Sequence, residues 1–420
     1  MDILISGASV AGPSLAHWLQ RFGHRPTVVE RAPALRGGGY AVDFRGPVHR
    51  TALRRMGLLD AIRRHATEMG DIAIVDGDGA TVATMPAAIV SGELEILRGD
   101  LARVLYEATR DGTEYLFGDT ITGITQDADG VDVTFERAAP RRFDLVIGAD
   151  GVHSAVRRLV FGDDPAHRRP LGIQAGIFTA PNEFGLDGTA VMYTEPGRIV
   201  TVGAPHGGPA IVTMFFTATS AQGTGLDDQR QLVAEAFAGA GWRVPRLLEL
   251  MWQAPDFYLD VSQQIHLDRW SQGRVVLLGD AGYAGGPGGN GTGLAVVGAH
   301  VLAGELALAG DDHGLALRRY EERMRPYVRR CQAQAAGGVE YLVPGSWKKI
   351  HQRDRFFRMQ RYLPPLRHLF AWMATRTATA IDLPEYPEPS TVDESAAPVA
   401  APVAAPVESA KERRGMAEAG

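Results

Sequence analysis

A glycine turn between two apolar strands constrains this chain more than any other feature. Ile3-Leu4-Ile5 reads as a short buried strand. Gly7-Ala8-Ser9-Val10-Ala11-Gly12 follows at once, and Pro13 opens a helix with Leu15, Trp18, Leu19 and Phe22 on one face. Gly23 ends that helix, and Pro26-Thr27-Val28-Val29-Glu30 forms the next strand. A β-α-β unit of this kind needs parallel strands and a right-handed crossover. Gly7 permits the tight bend, and Gly12 allows close strand–helix packing. The helix start offers unpaired N–H groups and a positive dipole end to a pyrophosphate. Glu30 is placed to accept hydrogen bonds from a ribose. Ser9 stands where the dinucleotide fingerprint has its second glycine; its side chain narrows the approach, although its hydroxyl can donate.

Two later stretches carry related chemistry. Asp144-Leu145-Val146-Ile147-Gly148-Ala149-Asp150-Gly151 delivers an acid from a buried strand to a loop, and Ser154 and Arg157 follow on a helix. A plain Asp-Gly turn explains this stretch about as well as a ligand does. Gly279-Asp280-Ala281 sits after the strand Arg274–Leu278, where open α/β sheets bind ligands. Asp280 can accept from a polyol such as ribitol. The loop through Pro287, Gly291 and Gly293 feeds a small-residue helix over 293–309, whose start would stabilise negative charge on a reduced flavin. A simple nicotinamide-binding domain has no need of this second segment. The two glycine turns together read as the two ends of one FAD site.

Composition narrows the alternatives. The formal net charge is −6 without a long basic run, so nucleic acid is not an expected partner. Cys331 is the one cysteine, which excludes a disulfide framework and cysteine-rich metal sites and fits a reducing cytoplasm. The histidines show no ligand spacing, so no metal is expected. Lysine occurs only at Lys348, Lys349 and Lys411, which removes Walker-type and Schiff-base chemistry from residues 1–347. No apolar run reaches the roughly 18 residues of a membrane span, and the start of the chain lacks the pattern of a signal peptide.

The pattern predicts an α/β protein. Alternation over Ile72–Met85 surrounds the turn Asp76-Gly77-Asp78-Gly79. Residues 101–109 are helical, 115–135 are strands, and the texture from about 165 to 260 is β-rich, with a helix over 227–238. Helices are expected over 314–342 and 347–380. Ala-Ala-Pro-Val occurs three times in tandem from Ala396 to Val407 and cannot bury a core. The expected division is a Rossmann-like FAD-binding domain (1–75, 96–164 and 261–312), an inserted substrate-binding β-sheet domain (76–95 and 165–260), C-terminal helices (313–387) and a disordered tail (388–420).

The three glycine-bearing stretches come in the order, and near the spacing, of one family. The chain resembles the class A flavoprotein monooxygenases of the p-hydroxybenzoate hydroxylase fold, in the branch of tetracycline-hydroxylating and related actinobacterial hydroxylases. The resemblance covers residues 1–385. Arg98-Gly99-Asp100-Leu101, Gly241-Trp242-Arg243-Val244-Pro245 and Leu383-Pro384-Glu385-Tyr386 add to it. It implies FAD as cofactor, NAD(P)H as co-substrate, and transfer of one oxygen atom from C4a-hydroperoxyflavin to an aromatic or polyketide-like small molecule, with O2 consumed. Glu30 and Arg31 would lie at the adenosine end; Arg98, Asp280 and Asp43 would contact FAD; Arg36 would lie where the nicotinamide docks. Asp150 and Arg157 belong to a stretch this family associates with both nucleotides. Tyr283 departs from the usual histidine, and the loop from Pro287 to Gly291 is one residue short. No catalytic base is assigned. Met192, Tyr193, Met214, Phe215 and Phe216 line either an apolar pocket or plain core.

Three other readings stand beside this one. A flavin halogenase of the same fold needs a channel lysine and a Trp-x-Trp-x-Ile-Pro tract, and Ala240 occupies the first tryptophan position. A flavin-free nicotinamide dehydrogenase leaves Gly279-Asp280 unexplained. A flavin-binding protein without turnover would act through its Ala-Pro tail. The sequence does not give the oligomeric state.

Overall fold

The computed structural model describes residues 1–35, 37, 39–90, 92–218, 225–360 and 375–387. Its six-stranded sheet has the order Ser271–Gln272, Val275–Leu277, Leu145–Gly148, Asp2–Ser6, Arg25–Glu30, Glu114–Phe117. The five strands from Val275–Leu277 onward run parallel, and Ser271–Gln272 is an antiparallel edge. Parallel strands are covered on both faces. That is why Ile3, Leu4, Ile5, Leu145, Val146 and Ile147 are apolar without alternation, and all are fully buried.

The first helix, Ala11–Arg21, starts two residues before the expected Pro13. Proline fits the first turn because its missing N–H has no intrahelical partner to lose. Leu15, Trp18, Leu19 and Phe22 are buried as the periodicity requires. This helix packs against Gly291–Ala309. Every residue of that second helix from Gly293 to Leu306 is buried. It is the one described helix long and apolar enough to cross a membrane; burial on all sides accounts for the composition.

The seven-stranded sheet has the order Tyr258–Ile265, Arg168–Ala180, Ala210–Thr217, Arg198–Ala204, Thr189–Glu195, Ile72–Val75, Thr81–Met85. It is antiparallel except where Thr189–Glu195 meets Ile72–Val75. Two strands cross the expected boundaries. Ile72–Val75 lies in this sheet rather than with residues 1–71, and Tyr258–Ile265 runs through the limit at 260. Hairpin pairing with Thr81–Met85 holds the first strand in the sheet. Pairing with Arg168–Ala180 holds the second.

Strand alternation divides the five candidate pocket residues. Tyr193, Met214 and Phe216 pack under the helices Leu226–Ala236 and Val244–Gln253. Met192 and Phe215 face the opposite way, with Ile74, Val343 and Phe357. They do not line one pocket, because neighbours in a strand point to opposite faces.

A two-stranded ribbon pairs Ala41–Phe44 with Leu94–Leu97. The helix Arg98–Glu107 follows directly, so Arg98 is its first residue. Helices His313–Leu342 and Trp347–Gln360 form the C-terminal layer. Residues 361–374 of the expected last helix, and the tail 388–420, lie outside the described residues. Before the tail, the Tyr386 hydroxyl donates to buried Glu305 at 2.8 Å, and the Pro384 carbonyl accepts from Arg55 at 2.6 Å.

Candidate functional site

Three loops leave the carboxyl ends of adjacent parallel strands, the edge where open α/β sheets bind ligands. They begin at Gly7, Ala149 and Leu278. Gly7 has φ of +109°, and its N–H donates to the Val29 carbonyl at 2.8 Å. A methyl group on it would lie 2.5 Å from the Ala149 oxygen, so this glycine makes room for the second loop. A methyl on Gly12 would overlap the Gly7 carbonyl oxygen, and one on Gly279 (φ +63°) would come within 3.2 Å of Ala11 Cβ. Turns far apart in the chain therefore meet across one intervening strand.

Arg157 ties two of these loops together. Its buried guanidinium donates to the Ala281 carbonyl at 2.7 Å and to the Val152 carbonyl at 2.6 Å. Lysine keeps the charge but loses the planar fork. Arg157→Lys is expected to cost about 2 kcal/mol of stability, read as a lower denaturation midpoint. An unchanged midpoint would show that the bridge is dispensable.

Asp150 splits its work. One carboxylate oxygen accepts from the Ala155 and Val156 amides at 2.7 and 3.2 Å, capping the following helix. The other is buried without a hydrogen-bond partner among the described residues. Burial raises the pKa of this carboxyl. Glu30 accepts from the Ala8 and Ala32 amides, each at 2.9 Å, so it fixes the turn while each oxygen keeps a second lone pair. Ser9 and Arg31 are exposed nearby. Arg36 lies outside the described residues.

At the other end, Asp280 is exposed as the first residue of the short helix Asp280–Tyr283. Surrounding protein and the neighbouring Asp260 carboxylate raise its pKa to about 6, against the pull of Arg98. The Arg98 guanidinium lies over the Tyr40 ring, 5.7 Å from its centroid. A methyl on Gly291 would come 3.5 Å from Asp280, so the long helix starts beside this acid. Pro287 is half-buried in the preceding loop. Asp43 is ion-paired with Arg45.

Sequence reasoning missed what lies beneath this loop. A methyl on Gly293 would overlap the His49 ring. His49 is buried: Nδ1 accepts from the Arg45 amide at 3.0 Å, and Nε2 meets the Tyr327 hydroxyl at 2.7 Å. Asn290, at φ +56°, contacts the Cys331 thiol at 3.8 Å. Gly293 is thus required by the histidine packed under it, a partner that nothing nearby in sequence announces. Tyr283 turns from the cleft into the core, with its hydroxyl 2.8 Å from that of Tyr320. Asp260, half-buried on strand Tyr258–Ile265, was also missed; its charge acts on Asp280.

These residues fit FAD. Neither Ala11–Arg21 nor Gly291–Ala309 begins with a side-chain cap, which leaves the helix starts for a ligand. The orphaned Asp150 oxygen and Asp280 are acceptors spaced along the same edge. Among the described residues no His, Cys, Asp and Glu group could hold a metal.

A family model described as FAD binding domain matches residues 1–335. A flavin-dependent monooxygenase from an unknown prokaryotic organism is 37% identical over 395 residues, covering 91% of this chain and 98% of the relative. The crystal structure of tetracycline destructase Tet(55) superposes with a TM-score of 0.80 at 33% identity, covering 91% of this chain and 98% of that one. Klebsiella pneumoniae HpxO, solved with FAD and uric acid, shares the fold at a TM-score of 0.73 and 23% identity, over 91% and 98% of the two chains. On these matches and on the converging turns, the chain belongs to the FAD-dependent monooxygenases of the class A fold.

Proposed function

We propose that this monooxygenase consumes NAD(P)H and adds one oxygen atom to an aromatic or polyketide-like small molecule of several rings. The meeting of the Gly7, Asp150 and Gly279 loops at one sheet edge carries this reading. The resemblance in name and fold to a tetracycline destructase supports the substrate class. Bound FAD supplies the redox chemistry, accepting hydride and activating oxygen.

The chain's own residues bind and orient. Glu30 and Arg31 hold the adenosine end, Asp150 accepts through its free oxygen, and Asp280 accepts from the ribityl hydroxyls. The start of helix Gly291–Ala309 stabilises negative charge on the reduced ring. Arg98, stacked over the Tyr40 ring, would add a positive charge beside the bound cofactor. Cytoplasmic action suits the single thiol, Cys331, which is buried and free.

Tetracycline and related fused-ring phenols should stimulate NAD(P)H oxidation and oxygen uptake, with a mass gain of one oxygen atom in the product. Flavin-loaded protein that oxidises NAD(P)H at the same rate with and without every such compound would overturn this reading.

A further inference from the structure

A half-open groove of about 830 Å³ runs beside the antiparallel edge of the six-stranded sheet. Its lining includes Ser271, Gln272 and Gly273. These stand at the amino end of strand Val275–Leu277, whereas the Leu278 loop leaves the carboxyl end of the same strand. The groove is therefore apart from the edge assigned to FAD.

Three separate elements bring arginines to it. Arg169 comes from the start of strand Arg168–Ala180, and Arg269 from the turn before Ser271–Gln272. Arg325 and Arg329 come from helix His313–Leu342, where residues four apart share a face. Arg325 is pinned. It donates to the Leu267 and Asp268 carbonyls at 3.1 and 2.9 Å, pairs with Glu321, and lies over the Trp270 ring, 4.7 Å from its centroid. Arg169, Arg269 and Arg329 are exposed, and their side chains form no ion pair or hydrogen bond among the described residues. Exposed arginines elsewhere behave differently: Arg142 and Arg246 each hold two carboxylates. Asp164 and Asp268 are the acids of the lining, and Asp164 already accepts from the Ala166 amide at 2.8 Å. Burial, and then the Arg169 charge, lower the pKa of His266 on the groove wall. Like charges gathered without partners repel, a cost that a bound anion removes.

We propose that this groove is a second ligand site, for a small organic anion carrying two or more oxyanion groups, as in a phosphate ester or a polycarboxylate. Guanidinium forks match the oxygens of either group. The volume lies in the range of small-molecule sites and exceeds what a lone inorganic ion needs. Arg325 holds the wall in shape, and Arg169, Arg269 and Arg329 supply the free donors. The site is independent of the chemistry proposed for the flavin.

The test titrates sodium pyrophosphate and, in a second arm, sodium citrate into FAD-saturated protein at constant ionic strength, followed by calorimetry. Filling the cofactor edge beforehand leaves the probe the groove. Saturable binding is expected in at least one arm, and the arm that binds names the oxyanion class. Arg169→Gln and Arg329→Gln should each weaken it about 10-fold or more. Neither removes a contact within the protein, so both should melt at the wild-type temperature. Arg64→Gln alters an exposed arginine outside the groove and should leave binding unchanged. No saturable binding in either arm, or unchanged binding in both groove variants, would overturn the proposal. So would an equal loss in Arg64→Gln, the mark of diffuse attraction to surface charge. Binding is read directly, so the result does not depend on whether the protein oxygenates anything.

Discussion

Gly12→Ala is expected to destabilise the protein by about 3 kcal/mol, because the added methyl overlaps a backbone atom that cannot yield. The obstacle is the Gly7 carbonyl oxygen. Gly7 is held in a left-handed conformation, its amide is bonded to Val29, and Ala149 presses on its other side. Overpacking against a flexible side chain would relax; here the first helix must move off the sheet. Gly23→Ala makes a matched control. Gly23 has φ of +78° with nothing near its missing side chain, so alanine there pays only conformational strain, about 1 kcal/mol. Denaturant midpoints of the two variants measure the difference. Equal shifts would mean that crowding at the turn contributes nothing.

Asp280→Asn should pull binding and stability in opposite directions. Loss of the charged acceptor is expected to weaken FAD binding about 10- to 100-fold, measured by titrating FAD into apoprotein. The apoprotein should gain stability above pH 6. The sign follows from the raised pKa of about 6 against an ordinary value of 3.8. The folded state binds the Asp280 proton more tightly than the unfolded state does, so its contribution is full below pH 4 and is lost as pH rises through 6. Asparagine cannot ionise and escapes that loss. Melting temperatures of the two apoproteins should diverge between about pH 4 and pH 6 and stay apart above that, with the variant higher. Parallel curves would show that Asp260 and the cleft do not burden the Asp280 charge.

The two outcomes have one origin. Asp260 and Asp280 lie close enough to act on each other through charge, with Arg98 the arginine that acts on both among the described residues, so the apoprotein gathers negative charge there. A site of this kind gives up folding stability for ligand binding.

How much of this was legible varies by element. The first β-α-β unit was readable to within two residues, since every signal in it is local: buried strand, glycine turn, helical periodicity, closing acid. Ile72–Val75 was assigned to the wrong side of a boundary, because its partner Thr189–Glu195 lies more than a hundred residues away and strand composition does not name a sheet. The candidate pocket dissolved for a related reason. Met214, Phe215 and Phe216 are adjacent in sequence, yet alternation sends Phe215 to the opposite face from its neighbours. Asp260 was overlooked because its interest comes from Arg98 and Asp280, on two other segments.

The sequence by itself determined the parallel α/β core, the glycine turns that leave its strands and the family, because glycine geometry and hydrophobic periodicity are properties of short segments. Only the tertiary structure decided which groups lack partners. That Asp150 keeps one oxygen free, that His49 fills the space under Gly293, and that Asp260 comes near Asp280 and Arg98 all depend on contacts between distant segments. Burial and pairing are set by the whole fold, and no window along the chain encodes them.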